Sequence, residues 1–192
     1  MDIRFSGFGG QGIIKSGMII GTAASLYDNL HATMTQSFGP EARGSACSAA
    51  LVVQETPVYY PYIVTPEIIV CMSQEAYEKF STDLIPGGTL LIDADLVELG
   101  DGQRDVSLFA IPATKIAEEM GNRIFANVVM VGFFTAVTEL VKPEAVRQAL
   151  PGLIPERFLD KNIEAFDRGF DYGREILAGG RKSSKQMAAA GS

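Results

Sequence analysis

Apolar positions in this chain fall into short runs and helical periods that alternate from the first residues onward. Residues 3–6 make a short apolar strand. Gly7-Phe8-Gly9-Gly10-Gln11-Gly12 follows, and then a helical pattern from residue 13 to about 26. Strand, glycine turn and helix in this order open a βαβ unit. The helix carries small residues at Gly17, Gly21, Ala24 and Ser25. They lower helix propensity, and close packing against a sheet or a partner chain would compensate.

Further along, residues 31–37 read as a second strand and residues 45–54 as a third, of small and β-branched side chains. Pro57, Pro61 and Pro66 bracket an extended Tyr-rich stretch. The near-continuous apolar run at 67–72 fits a strand buried on both faces. A helix is predicted over 74–84, strands over 89–93 and 106–111, and a helix over 113–120. Residues 127–140 are apolar nearly all round. At this length they are too short to cross a bilayer, so they predict a core or interface helix. Lys142-Pro143-Glu144 opens another helix, with proline near its first turn. Residues 158–178 carry Leu159, Ile163, Phe166, Phe170, Gly173 and Leu177 at steps of four and three, an amphipathic helix. Alternating strands and helices with buried strands predict a three-layer α/β/α domain. Its sheet is mostly parallel, and mixed if 45–54 pairs with 58–60 as a hairpin.

At 192 residues the chain holds one such domain, over 1–180, and a Gly/Ser/Lys/Ala-rich tail over 181–192 with no periodicity, read as disordered. The net charge of −7 argues against a general nucleic-acid binder, since phosphate neutralisation needs a basic face. It leaves room for a local basic site facing an anion. No signal-peptide pattern and no membrane-length apolar run are visible, so a cytoplasmic protein with reduced thiols is expected. Two cysteines, Cys47 and Cys71, are too few for a four-Cys cluster or zinc site, and both sit in apolar sequence that reads as buried strand.

Two loops carry the candidate chemistry. Gly7 to Gly12 matches G-x-G-x-x-G between a strand and a helix, where backbone N–H groups at a helix start can receive an anion. A dinucleotide site would also want an acid at the end of the second strand. Asp28 has the spacing but precedes that strand, which ends in Gln36-Ser37. A packing turn, or a loop serving another anion or a neighbouring subunit, are the other readings. The second loop, Gln36-Ser37-Phe38-Gly39-Pro40-Glu41-Ala42-Arg43-Gly44, is a rigid turn presenting a carboxylate and a guanidinium. If its strand is the parallel neighbour of the first, both loops leave the carboxyl edge of the sheet, where open α/β sheets place ligands. A local Glu41–Arg43 surface pair is the plain alternative. Other candidates are poor. His31, the single histidine, sits at a strand start, and Asp93 and Asp95 read as a solvated loop before a metal site. A site loop without an acid–base pair suggests a subunit that completes another chain's active site, with no catalytic residue and no metal ligand of its own.

The two loops, together with Asn127-Val128-Val129-Met130-Val131-Gly132, resemble the gamma subunit of 2-oxoacid:ferredoxin oxidoreductases. The likeness continues through Ser73-Gln74-Glu75-Ala76-Tyr77, Asp93-Ala94-Asp95 and Ile111-Pro112-Ala113-Thr114 and covers about residues 3–178. Within the family it looks nearest to the 2-oxoglutarate enzyme, with the pyruvate, 2-oxoisovalerate and indolepyruvate enzymes as alternatives. Ser45 stands where the family commonly has a second glycine. The resemblance implies a holoenzyme that decarboxylates a 2-oxoacid on thiamine diphosphate with Mg²⁺. Electrons pass through iron–sulfur clusters to ferredoxin, and the acyl group goes to coenzyme A. It implies alpha and beta subunits and a ferredoxin-like delta subunit as partners. Gly9, Gly10, Gln11, Gly12, Glu41, Arg43 and Gly44 would lie on the coenzyme A side of the shared site. A stand-alone nucleotide-binding oxidoreductase and a purely structural assembly subunit remain as other classes. The small-residue helix face at 13–26 and the apolar helix at 127–140 are the expected partner surfaces.

Overall fold

The structure, a computed structural model, describes residues 1–37, 46–100 and 105–179. The expected tail at 181–192 and the Glu41, Arg43 and Gly44 site positions lie outside the described residues. Strand β1 (Asp2–Phe8) leads into helix α1 (Ile13–Thr22), which continues as a π-helical turn over Ala23–Tyr27. Strands β2 (His31–Ser37), β3 (Ala46–Gln54) and β4 (Ile68–Cys71) follow, then α2 (Gln74–Phe80), β5 (Thr89–Asp93) and β6 (Ser107–Ile111). Among the described residues four α-helices follow: α3 (Ala113–Glu119), α4 (Ala126–Thr138), α5 (Pro143–Leu153) and α6 (Leu159–Ala178).

The strands form one six-stranded sheet in the order β2-β3-β1-β4-β5-β6. β1, β4, β5 and β6 are mutually parallel, and β3 runs against both of its neighbours. The mixed three-layer α/β sheet expected from the sequence is therefore present, but the hairpin partner differs. β3 pairs along its length with β2, His31 opposite Gln54 and Ser37 opposite Ser48. Residues 58–60 form no strand. Pro57, Pro61 and Pro66 lack the N–H donors a ladder needs, and Tyr59, Tyr60 and Tyr62 are left exposed, Tyr59 by 91%.

Alternate residues of each central strand face opposite layers. Ile68 and Val70 join Ile3, Phe5 and Leu91 in the large core under α1 and α3 to α6, whereas Ile69, Cys71, Leu90 and Ile92 join Tyr77 of α2 on the other face. The layers are thus unequal, with most helices on one side.

The expected partner surfaces are internal. Residues 126–136 of α4 are all buried, and α6 lies across them at van der Waals contact. A Cβ on Gly132 would overlap the Phe166 carbonyl oxygen, and one on Gly169 the Val129 carbonyl oxygen. On α1, Gly17 sits against Met34 and Ala49, and Gly21 against Leu51. The small residues let helices approach their own sheet and each other, so that apolar surface is consumed within the chain. Among the described residues no helix is long and apolar enough to cross a membrane.

Candidate functional site at the carboxyl edge of the sheet

β1 delivers its C-terminal residue, Phe8, to a tight turn. The Gln11 N–H donates to the Phe8 carbonyl at 3.2 Å, and Gly10 in third position has φ 94°, the backbone that a type II turn requires of glycine. The Gln11 side chain folds back over the same turn. Its Oε1 accepts from the Phe8 N–H at 2.6 Å, and its Nε2 donates to the Met72 carbonyl at 2.8 Å. Gly12 then caps α1 with φ 75°. Its carbonyl accepts from the Ser16 N–H at 2.9 Å and from Asn127 Nδ2 at 3.3 Å.

The glycines of the motif divide into two kinds. Gly7 and Gly12 are required by crowding: a Cβ on Gly7 would lie 2.5 Å from Gln11 Oε1, and one on Gly12 2.5 Å from Asn127 Nδ2. Gly9 and Gly10 border open space and are exposed. Among the described residues the amides of Gly9, Gly10 and Gly12 have no hydrogen-bond partner. The first turn of α1 itself carries no acidic side chain to set against an anion at its positive end. Lys15, within that first turn, spends its ammonium on the Leu153 carbonyl at the end of α5, 2.9 Å away.

This turn occupies a special place in the topology. After β1 the chain passes to α1 on the thick layer, and after the adjacent parallel β4 it passes to α2 on the thin one. The β1–β4 boundary is therefore the switch point where open sheets leave a crevice at their carboxyl edge. Gln11 and Met72 span that crevice.

β2 is not the parallel neighbour of β1, because β3 lies between them. Two antiparallel steps nevertheless restore the direction. Ser37 is level with Ser48, and Ser48 with Ser6, so β2 and β1 end at the same edge. The flanks of the second loop, Ser37 and Ala46, thus stand beside the glycine turn, with Ala46 opposite Phe8. Glu75 Oε1 accepts from the Ala46 N–H at 3.2 Å.

Other sequence candidates resolve into structure. Asp28 is held by Lys142, whose Nζ lies 2.5 Å from Oδ1 and whose N–H donates to Oδ2 at 2.8 Å. Burial raises the Asp28 carboxyl, but the Lys142 hydrogen bonds and charge outweigh this and hold it below the usual carboxylate range. Asp93 is not the solvated residue expected. It is fully buried, and its Oδ2 accepts from the Thr114 N–H at 3.1 Å and hydroxyl at 2.7 Å. Burial pushes its carboxyl up, against the bonds from Thr114 and Asp95. Among the described residues no three His, Cys, Asp or Glu side chains converge as metal ligands. Cys47 and Cys71 are buried and free, and burial pushes the Cys71 thiol up to about 12. His31 opens β2 at the opposite edge of the sheet. The clamp formed by Asn127 and the Met72 carbonyl escaped functional reasoning from sequence. Its signals were Asn127 as a polar residue at the head of an apolar helix and its place in the motif that carries the resemblance.

Residues 2–172 match the family described as pyruvate ferredoxin/flavodoxin oxidoreductase. The chain is 44% identical, over 91% of its own length and 95% of the other, to the 2-oxoglutarate synthase subunit KorC of Methanocaldococcus jannaschii. A keto/oxoacid ferredoxin oxidoreductase gamma subunit from Geobacter sulfurreducens superposes with a TM-score of 0.79 at 38% identity, covering 90% of this chain and 97% of that one. The 2-oxoglutarate:ferredoxin oxidoreductase of Magnetococcus marinus, solved with 2-oxoglutarate, coenzyme A and succinyl-CoA bound, gives 0.82 at 25% identity. There the match covers 91% of this chain and 31% of the longer one. Sequence and fold together show that this chain belongs to the pyruvate ferredoxin/flavodoxin oxidoreductase family.

Proposed function

We propose that this chain is the gamma subunit of a 2-oxoglutarate:ferredoxin oxidoreductase. The complex oxidatively decarboxylates the 2-oxoacid, transfers the acyl group to coenzyme A and reduces ferredoxin. Similarity to the Methanocaldococcus jannaschii subunit supports the substrate. The coenzyme A bound to the Magnetococcus marinus enzyme supports the acyl acceptor.

In this reading the chain contributes binding rather than chemistry. Thiamine diphosphate with Mg²⁺ supplies the decarboxylation on other subunits, and iron–sulfur clusters the electron path. The residues present here do not fit a cluster, since both cysteines are buried in strands of the sheet and one cluster needs about four thiolates. Alpha and beta subunits and a ferredoxin-like delta subunit are the partners. The exposed Tyr59, Tyr60, Tyr62 and Val64 between β3 and β4 support contact with another chain. In this reading the complex works in the cytoplasm.

The observation that carries the site is the exposed Gly9-Gly10 turn at the β1–β4 switch point, with the flanks of the Arg43 loop beside it. Gly9, Gly10, Gly12 and Gly44 are assigned as backbone donors to the anionic part of coenzyme A, and Gln11 and Glu41 belong to the same proposed set. Arg43 supplies the fixed fork of donors that a protein of net charge −7 must place locally. Steady-state kinetics of the assembled Arg43→Ala complex test this. Loss of one charge-assisted contact raises KM for coenzyme A roughly ten- to a hundredfold, with little change in KM for the 2-oxoacid. An intact complex with both constants unmoved would leave the loop a structural feature only.

A further inference from the structure

Gln11 stands among the proposed coenzyme A contacts, yet its side chain is already committed at both ends. Its Oε1 takes the Phe8 N–H and its Nε2 gives to the Met72 carbonyl. Its own N–H closes the turn on the Phe8 carbonyl. Phe8 is thereby gripped through both of its backbone polar groups by one residue. The grip continues across the crevice, because the Met72 N–H donates to the Ser6 carbonyl at 2.9 Å. Ser6, Phe8, Gln11 and Met72 form a closed frame joining the ends of β1 and β4. Gly9 and Gly10, the exposed part of the turn, hang from this frame with no other support among the described residues.

We propose that Gln11 is a positioning residue for the coenzyme A site: it does not contact the ligand but holds the Gly9-Gly10 amides in place across the β1–β4 crevice. This rests on the coenzyme A reading above. A two-glycine turn on its own loses much conformational freedom when ordered. A side chain that orders it in advance removes that loss from the binding step. Placing the frame at the switch point ties the amides to two strands of the rigid sheet, and small displacements at such a site are costly.

The test pairs two measurements on Gln11→Ala. In the full chain without ligand, amide hydrogen exchange across residues 6–12 becomes faster by about tenfold or more, as the Phe8 bond and the strand tether are lost. In the assembled complex, KM for coenzyme A rises by roughly tenfold while KM for the 2-oxoacid holds. Gln11→Met, of similar volume but with neither bond, gives the same two changes without adding charge, and it stands in should Gln11→Ala fail to assemble. A raised KM with unchanged exchange would mean direct contact and overturn the proposal. Faster exchange with unchanged KM would make Gln11 structural only, and no change in either overturns it equally. Arg43→Ala in the same assay separates the two levels. If it too leaves KM for coenzyme A unmoved, the site reading fails. If it alone raises KM, only the role of Gln11 does.

Discussion

Asn127 Nδ2 donates to the Gly12 carbonyl at 3.3 Å, so a residue 115 positions downstream braces the first turn of α1. Gly12 is doubly constrained there, by φ 75° and by the Asn127 side chain 2.5 Å from where a Cβ would be. Gly12→Ala is expected to destabilise the chain by about 2–4 kcal/mol, the sum of left-handed strain and overpacking. Asn127→Ala loses one hydrogen bond, about 1 kcal/mol. The double variant recovers the crowding part and keeps the strain, so a double-mutant cycle in denaturant must show favourable coupling. Simple additivity would mean the two residues do not meet.

Gly132 and Gly169 set the distance between α4 and α6. Alanine at either position places a methyl group on a backbone carbonyl of the facing helix, and backbone cannot step aside as a side chain can. Each variant is expected to lose about 3 kcal/mol or more, seen as a fall in the denaturant midpoint. Gly152→Ala, in open space on α5, is the control and is expected to be neutral or slightly stabilising.

The Asp28–Lys142 pair ties the end of α1 to the start of α5. Hydrogen bonds from Lys142 outweigh the effect of burial and hold the folded carboxyl below its ordinary value. A lowered folded value means the stabilisation is fully present above the unfolded value, about 3.9, and is lost as pH falls through the folded one. The difference in Tm between the native chain and Asp28→Asn is therefore expected to be constant near neutrality and to close below about pH 3–4. A gap that widens on acidification contradicts the pairing.

Cys71 lies fully buried with its thiol pushed up to about 12, so its thiolate is scarce at neutral pH. Cys47 is buried as well, its thiol also raised by burial. Neither is expected to react with a maleimide in the native chain within minutes, and both react on denaturation. Rapid labelling of the folded chain would show that the strands open locally.

Cluster chemistry is expected to be absent from the chain alone. Two cysteines cannot ligate a four-thiolate cluster, so the purified subunit is colourless and does not oxidise 2-oxoacids. Visible absorbance or turnover from the isolated chain would refute the assignment of redox chemistry to partners.

Most elements were legible from local pattern, because a strand buried on both faces and an amphipathic helix each impose their own period. The run at 67–72 became β4, and the steps of four and three from Leu159 to Leu177 became α6. The glycine turn was legible for the same reason: a short strand, a glycine cluster and a helix leave the backbone few alternatives. Its motif also carried the family resemblance. What local pattern could not show was which surfaces meet. Residues 127–140 read as either a core or an interface helix because they are apolar all round, and only the packing of Gly132 against α6 shows that the chain covers them itself. Val58 and the tyrosines looked able to pair with β3, yet β2 takes that place, since strand pairing is decided by which backbone donors are free in space. Gln11 illustrates the division most sharply. The sequence by itself determined that a glutamine stands in a glycine turn before a helix. That its amide reaches Met72 was decided only by tertiary structure, because two residues 61 positions apart, each just past the end of a parallel strand, become neighbours solely through the fold.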